Sequence, residues 1–308
     1  MTNPQVIVSW IWRCSMGSLK KNLFVCVISL VISATIASAW TTPVPLSEIN
    51  TSSYGEGTAF LSNDGLTLYF SRSHSGSFAQ MYQATRSTSS GSFTSVTKIN
   101  ELAYSGGHVH SAWVSPDNLH MYFLRTESGS AWRIKESTRE TDSSPWGNIT
   151  NLSTLNALGD VGYPKLSGNE LSIVFNYFVN ETTGYLYTAN RSDRNSDFTS
   201  SNIRALTELN TADVRAQYLS PDGLSLYFAR SDSGVFHNYL SARSSLTGTF
   251  GTAQLLNYWP TNYLLNCFSA DGQTAYLNYN GDIYVSQIPE PVTLVLLGLG
   301  GILIRKRG

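Results

Sequence analysis

The feature that most constrains this chain is a unit of about fifty residues that recurs five times. Five segments align on a shared serine: GTAFLSNDGLTLYF, HSAWVSPDNLHMYF, YPKLSGNELSIVF, AQYLSPDGLSLYF and LNCFSADGQTAYL. The serines are Ser62, Ser115, Ser167, Ser220 and Ser269, at intervals of 53, 52, 53 and 49. Other residue classes keep nearly the same step. An aromatic returns at Trp40, Phe93, Trp146, Phe198 and Phe250, and an arginine at Arg86, Arg139, Arg191 and Arg243. An asparagine closes each unit, more loosely spaced, at Asn50, Asn100, Asn156, Asn210 and Asn257. Self-similarity of this kind marks an architecture in which each unit buries its faces against its neighbours.

Each unit reads as four strands. A short apolar run such as TAFLS comes first, then an Asp-Gly turn between apolar runs, a strong hairpin signal. The second run alternates, as in LTLYFSRS, so one face is buried. MYQATRS, WRIKEST, LYTANRS and YLSARSS supply third strands, and the fourth opens with the recurring aromatic. The body holds no convincing amphipathic helix. Four strands per unit at this period predict an all-β fold, a β-propeller of five blades. The body opens at Trp40 with a segment matching a fourth strand and ends at DIYVSQI, matching a third. Residues 40 to 50 are therefore expected to complete the blade made by residues 263 to 288, which closes the ring and removes open edges.

The ends do not belong to that body. Residues 1 to 39 read as a secretory signal: Lys20 and Lys21, an apolar run from Leu23 to Ile36, then Ala37-Ser38-Ala39 before Trp40, with cleavage expected between Ala39 and Trp40. Met16 is a more ordinary start, so residues 1 to 15 read as a beginning assigned too early. Cys14 and Cys26 fall in this leader. Cys267 remains alone in the body, which excludes an internal disulfide and suits a small core residue. Setting aside three basic residues at each end and Glu290 leaves 14 basic against 20 acidic residues in the body, a net charge of −6. That balance argues against nucleic acid, whose binding rests on phosphate neutralisation.

The units resemble the WD40-like, TolB-type propeller repeats, whose hallmark is S-x-D-G-x-x-L-x-F. SNDGLTLYF and SPDGLSLYF match closely, SPDNLHMYF and SADGQTAYL partly, and SGNELSIVF poorly. Gly168-Asn169-Glu170 departs from the pattern, so a different turn is allowed there. The tail at 289 to 308 resembles a PEP-CTERM sorting signal: Pro289-Glu290-Pro291, an apolar run from Val292 to Ile304, then Arg305-Lys306-Arg307. The resemblance implies export, an exosortase-type processing enzyme as partner, cleavage near Pro289, and a link to exopolysaccharide and the cell surface. The apolar run would form a helix of about 20 Å, shorter than the ~30 Å hydrocarbon core, which suits a transient membrane anchor.

The turn acids Asp64, Asp117, Asp222 and Asp271 lie in different blades and read as turn formers. The recurring arginines read as packing or pairing within a blade. The links into each first strand differ from blade to blade, and in propellers they lie near the axis. They carry Glu56, His108 and His110, Asp160, Asp213 and Arg215, and Tyr263. Departure from a repeated framework at the axis is where a binding site would be built. Glu56, Asp160 and Asp213 are candidates for two-carboxylate glycoside hydrolysis. His108 and His110, an H-x-H pair pointing to one face of a strand, are weak metal candidates. SDRNSDF faintly suggests oxygen ligands for calcium but lacks the glycine and closing glutamate of the known loop. No phosphate-cradling loop, nucleophile elbow or zinc-protease helix occurs, and no cofactor is expected. Trp113, Trp132 and Trp259 are candidate contacts or blade-core residues. These features point to a non-enzymatic module displayed at the envelope that binds a glycan or protein. The alternatives are a secreted glycoside hydrolase and a structural matrix component.

Overall fold

The repeated Ser-x-Asp string builds its own turn. In the computed structural model, which describes residues 40–127, 131–180 and 183–288, the Ser62 hydroxyl donates to Asp64 Oδ1 at 2.5 Å. Asp64 Oδ1 accepts the Leu66 N–H and Ser62 Oγ accepts the Thr67 N–H, both at 2.9 Å. The same bonds recur at Ser115 and Asp117, Ser220 and Asp222, and Ser269 and Asp271. In the third unit the turn is also the same, because Asn169 Oδ1 serves as the acceptor, 2.8 Å from Ser167 Oγ. Glu170 there adopts a φ of 61°, in the region that Gly65, Gly223 and Gly272 occupy in their turns. The leader at 1 to 39 and the sorting segment at 289 to 308 lie outside the described residues.

Among the described residues, twenty strands form five four-stranded antiparallel sheets. The N-terminal strand β1 is Val44–Pro45. Blade one holds β2 (Tyr54–Leu61), β3 (Thr67–His74), β4 (Gln80–Thr85) and β5 (Ser95–Lys98). Blade two holds β6 (Val109–Val114), β7 (His120–Glu127), β8 (Ala131–Thr138) and β9 (Gly147–Asn151). Blade three holds β10 (Asp160–Leu166), β11 (Ser172–Phe178), β12 (Gly184–Asn190) and β13 (Arg204–Ala205). Blade four holds β14 (Val214–Leu219), β15 (Ser225–Asp232), β16 (Val235–Ala242) and β17 (Gln254–Leu255). Blade five holds β18 (Leu264–Phe268), β19 (Thr274–Tyr279) and β20 (Asp282–Gln287), completed by β1 in the order β1-β20-β19-β18.

The expected latch is therefore present. Val44 pairs with Val285 and Pro45 with Tyr284. The Thr41 N–H donates to Gln287 O at 2.8 Å and the Leu46 N–H to Ile283 O at 2.9 Å. Asn50 extends this pairing with its side chain, accepting the Ile283 N–H at 2.9 Å and donating to Ile283 O at 2.8 Å. Asn156 treats Ile134 in the same way, and Asn210 treats Leu186. In these three units the recurring asparagine thus substitutes an amide for one residue of strand, at the point where the chain leaves the sheet for the next blade, a role that Asn100 and Asn257 do not share among the described residues.

The recurring arginine does more than pair within its blade. Arg139 Nε donates to Asn118 O of its own turn at 2.6 Å, and its guanidinium lies 4.3 Å from the Trp146 ring centroid. Arg86, Arg191 and Arg243 repeat this with Gly65 and Phe93, Glu170 and Phe198, and Gly223 and Phe250. Arg191 also reaches the preceding blade, donating to Tyr122 Oη at 3.0 Å, and Arg139 and Arg86 hydrogen-bond Tyr69 and Tyr276 likewise. One side chain therefore ties its turn, its fourth strand and the neighbouring sheet together. Blade three has Val174 where the other blades have tyrosine, so Arg243 turns to Ser172 Oγ at 2.9 Å and leaves Nη1 buried without a partner.

Candidate functional site

Every inner strand carries a one-residue bulge, which turns its second half around the axis. The register shifts lie between Gly57 and Phe60, His110 and Trp113, Gly162 and Lys165, Ala216 and Tyr218, and Leu265 and Cys267. Thr58, Ser111 and Tyr163 take positive φ there. Beyond the bulge, Phe60, Trp113, Lys165, Tyr218 and Cys267 fall at one equivalent position, each opposite the second-strand residue Tyr69, Tyr122, Val174, Tyr227 or Tyr276. An inner strand thus has a link end, where the chain enters, and a turn end.

The sequence-singled residues cluster at the link end, and the three carboxylates there each face an arginine, of their own blade for Glu56 and Asp213 and of the preceding blade for Asp160. Glu56, only 1% exposed, pairs with Arg72 Nε at 2.9 Å and accepts the Thr51 hydroxyl at 3.0 Å. Asp160, with 47% of its side chain exposed, accepts the Trp132 N–H at 3.0 Å and lies 3.3 Å from Arg133 Nη1. Asp213 accepts the Gly184 N–H at 2.7 Å and an ion pair from Arg215. Glu56 holds the entering link at Thr51, whereas Asp160 and Asp213 hold N–H groups at the start of the preceding blade's third strand. Tyr263 stacks on Tyr279, with centroids 4.3 Å apart and planes 8° apart, beside Tyr284.

The two histidines belong to an aromatic wall. His108 Nδ1 accepts the Ala79 N–H at 3.0 Å, which leaves the neutral ring with its proton on Nε2. His110 Nδ1 lies 2.7 Å from Ser111 Oγ. The rings of Phe78, His108, His110, Tyr163, Phe178 and Trp132 follow one another edge to face, with Trp132 and Phe178 4.6 Å apart and His110 and Tyr163 5.8 Å apart. Arg215 sits 5.0 Å from the Phe178 centroid and closes the wall from blade four. Burial lowers the pKa of His108, and burial with the neighbouring His108 and Lys165 brings His110 down to about 4. Both rings are neutral at physiological pH. Of the three tryptophans singled out by sequence, Trp113 and Trp259 are core residues, whereas Trp132 is partly exposed in this wall.

Lys165 was not legible as a site residue. It is 6% exposed, and among the described residues no side chain or carbonyl accepts its ammonium. Burial lowers its pKa to about 8. On its inner strand it holds the position that Trp113 and Cys267 hold on theirs, beside the axis, and its charge acts on His110 of blade two and on Cys267 of blade five. Cys267 is buried and unoxidised, and burial pushes its thiol up to about 12, which makes it a packing group. Alignment of the units holds the missed signal: Lys165 is the one charge at a position otherwise aromatic or thiol, opposite the one missing tyrosine.

A second polar cluster bridges the turn ends of blades two and three. His120 Nδ1 lies 2.8 Å from Glu136 Oε1 and 3.8 Å from Glu170 Oε2. Among the described residues these three form the group whose potential ligand atoms converge within 4.8 Å. Glu170 is also held by Arg194 at 2.7 Å, by Arg191 at 3.5 Å and by the Tyr122 hydroxyl at 2.9 Å. Two guanidinium groups already satisfy its charge, so the cluster is built as an interblade ion-pair network. The Glu136 hydrogen bond raises the pKa of His120, and burial raises that of Glu170.

No family model matches the chain, and no curated protein matches it. Solved structures do. The endo-arabinase of Bacteroides thetaiotaomicron aligns with a TM-score of 0.54 at 9% identity, over 81% of this chain and 98% of that one. A family 117 glycoside hydrolase from the marine bacterium Zobellia galactanivorans aligns with a TM-score of 0.54 at 10% identity, over 81% of this chain and 90% of that one. A TolB protein from Agrobacterium tumefaciens aligns with a TM-score of 0.48 at 14% identity, over 72% of this chain and 69% of that one. At such identities a likeness speaks to fold, and the fold of this chain is an all-β, five-bladed propeller.

Proposed function

We propose that this propeller is an exported, non-enzymatic binding module that takes a glycan at the link end of its axis. The observation that carries this reading is the wall of His110, Trp132, Tyr163 and Phe178, with Trp132 partly exposed at its rim. Aromatic faces beside fixed polar groups suit sugar rings, which offer apolar C–H faces and hydroxyl edges. The rim carboxylates are committed to arginines and backbone N–H groups, which gives a preorganised surface. A second reading, glycoside hydrolysis, is supported by Glu56, Asp160 and Asp213 standing at the same end of the inner strands, and by two fold neighbours that are a glycoside hydrolase and an endo-arabinase. A protein ligand and a purely structural matrix role are the other outcomes.

A glycan array with a reducing-sugar release assay on the same full chain decides between these. Retention of glycan without release supports binding. Release that disappears in Glu56→Gln or Asp160→Asn would replace it with hydrolysis. Retention of no glycan at all refutes the proposal. The proposed export route runs through the leader cut between Ala39 and Trp40 and through exosortase-type processing near Pro289, with the product at the envelope or in the extracellular matrix. The mass of the mature protein from its native host tests both cuts.

A further inference from the structure

We infer that the axial interior is an anion site, in which Lys165 receives the carboxylate of an acidic sugar unit. The inference rests on the glycan reading above and names the class of glycan. Two donors in the axial region have no acceptor among the described residues, and one of them, Asn266 Nδ2, is itself shielded from water. One is the Lys165 ammonium on β10, in a residue 6% exposed that has no hydrogen bond or ion pair among the described residues. The other is Asn266 Nδ2 in the bulge of β18, immediately before Cys267. Unsatisfied donors of this kind are costly to bury, and a fold keeps them where something else supplies the acceptor. The groups that feel the Lys165 charge are His110 and Cys267, neither of which carries a negative charge at neutral pH. Lys165 thus brings a positive charge into the interior of a body of net negative charge.

The ligand chemistry follows from the donor set. One ammonium and one amide N–H match a singly charged, planar carboxylate, whereas a phosphate dianion calls for a second cation. The approach is lined by the aromatic wall, because Tyr163 stands two residues before Lys165 on the same strand and its ring lies 5.8 Å from that of His110. A pyranose ring against Trp132 and Tyr163 would direct a carboxylate on C5 inward. A uronic acid carries a carboxylate at that carbon.

The test is calorimetric titration of the full chain with D-galacturonate, D-galactose, acetate and inorganic phosphate, repeated with Lys165→Met and Trp132→Ala. Each variant's thermal midpoint is measured to confirm folding, and Lys165→Gln serves if the methionine variant fails to fold. We expect galacturonate to bind, galactose to bind at least tenfold more weakly, and loss of Lys165 to weaken galacturonate by about 10- to 100-fold. Equal binding of galacturonate and galactose, or undiminished binding in both Lys165 variants, would overturn the inference. Binding of acetate or phosphate as tight as galacturonate would overturn the assignment to a sugar. If the array retains neutral glycans while galacturonate does not bind, the glycan reading stands and this inference alone fails.

Discussion

Replacing Glu170 by glycine sets two opposing effects against each other at one turn. Glycine is what three of the other four units place there, at Gly65, Gly223 and Gly272, so averaging over the units recommends the change. Backbone reasoning agrees in sign. Relief of a left-handed residue is worth about 1–2 kcal/mol, less about 0.5–1 kcal/mol for the extra freedom of glycine in the unfolded chain. The side chain argues the other way. Its carboxylate is 1% exposed and lies against Arg194 at 2.7 Å, Arg191 at 3.5 Å and the Tyr122 hydroxyl at 2.9 Å. Removing one partner of a buried pair costs about 3–5 kcal/mol, and we take the lower end because Arg194 is partly exposed and can rehydrate. The net expectation is a loss of about 2 kcal/mol, or a thermal midpoint lower by about 4–8 °C for a body of this size. Asn118→Gly is the internal control. It makes the same backbone change at φ 59° and removes a buried Oδ1 that has no partner. Its midpoint should hold or rise by a few degrees, about 0.5–1 kcal/mol. Both midpoints can be read by circular dichroism at pH 7. If Glu170→Gly raises the midpoint as Asn118→Gly does, the ion-pair network does not stabilise the seam and the reasoning is wrong.

Two further expectations concern charge and closure. Lys165→Met should stabilise the unliganded protein at pH 7 by about 3 kcal/mol, because a lysine brought from 10.5 to about 8 is penalised in the folded state. The penalty is complete below pH 8 and disappears as pH rises from 8 to 10.5, so denaturation curves of wild type and variant should converge across that window; parallel curves would refute it. Asn50→Ala removes both bonds to Ile283 and should cost about 1–3 kcal/mol, with hydrogen exchange accelerating first in β20 and β1; exchange that accelerates evenly over all blades would count against a local latch.

The blade count, the strand order and the latch were legible because each rests on a residue class repeated at a fixed step. What repetition cannot express is partnership between units. Arg139 and Arg191 look alike in sequence, yet their reach to tyrosines of the preceding blade follows only from sheets standing face to face. The fifth blade shows the rule by its exception. Ile288 takes the arginine's backbone place, bonding Gln273 O at 2.9 Å, and Trp40 packs on Trp259 and Phe268 instead of under a guanidinium. The link-end acids were located by sequence, but their engagement with Arg72, Arg133 and Arg215 was not, since Arg133 and Arg215 sit outside the repeat and Arg72, which recurs as Arg125 and Arg230, meets a different partner in each blade. Lys165 escaped notice because YPKLS still scores as a strand. The anomaly lies in what that position faces across the bulge, and the bulge has no sequence signature here.

The latch also has a temporal meaning. Its partners are far apart along the chain: Thr41 and Gln287, joined by a hydrogen bond of 2.9 Å, are separated by 246 positions. A polypeptide emerging amino end first produces the closing strand at the outset and must hold it idle until the final hairpin appears, a slow, long-range step. Prematurely terminated copies lack the surface on which that strand docks, and they present raw sheet margins to proteases. Completion of the circle thus waits on the arrival of the last hairpin.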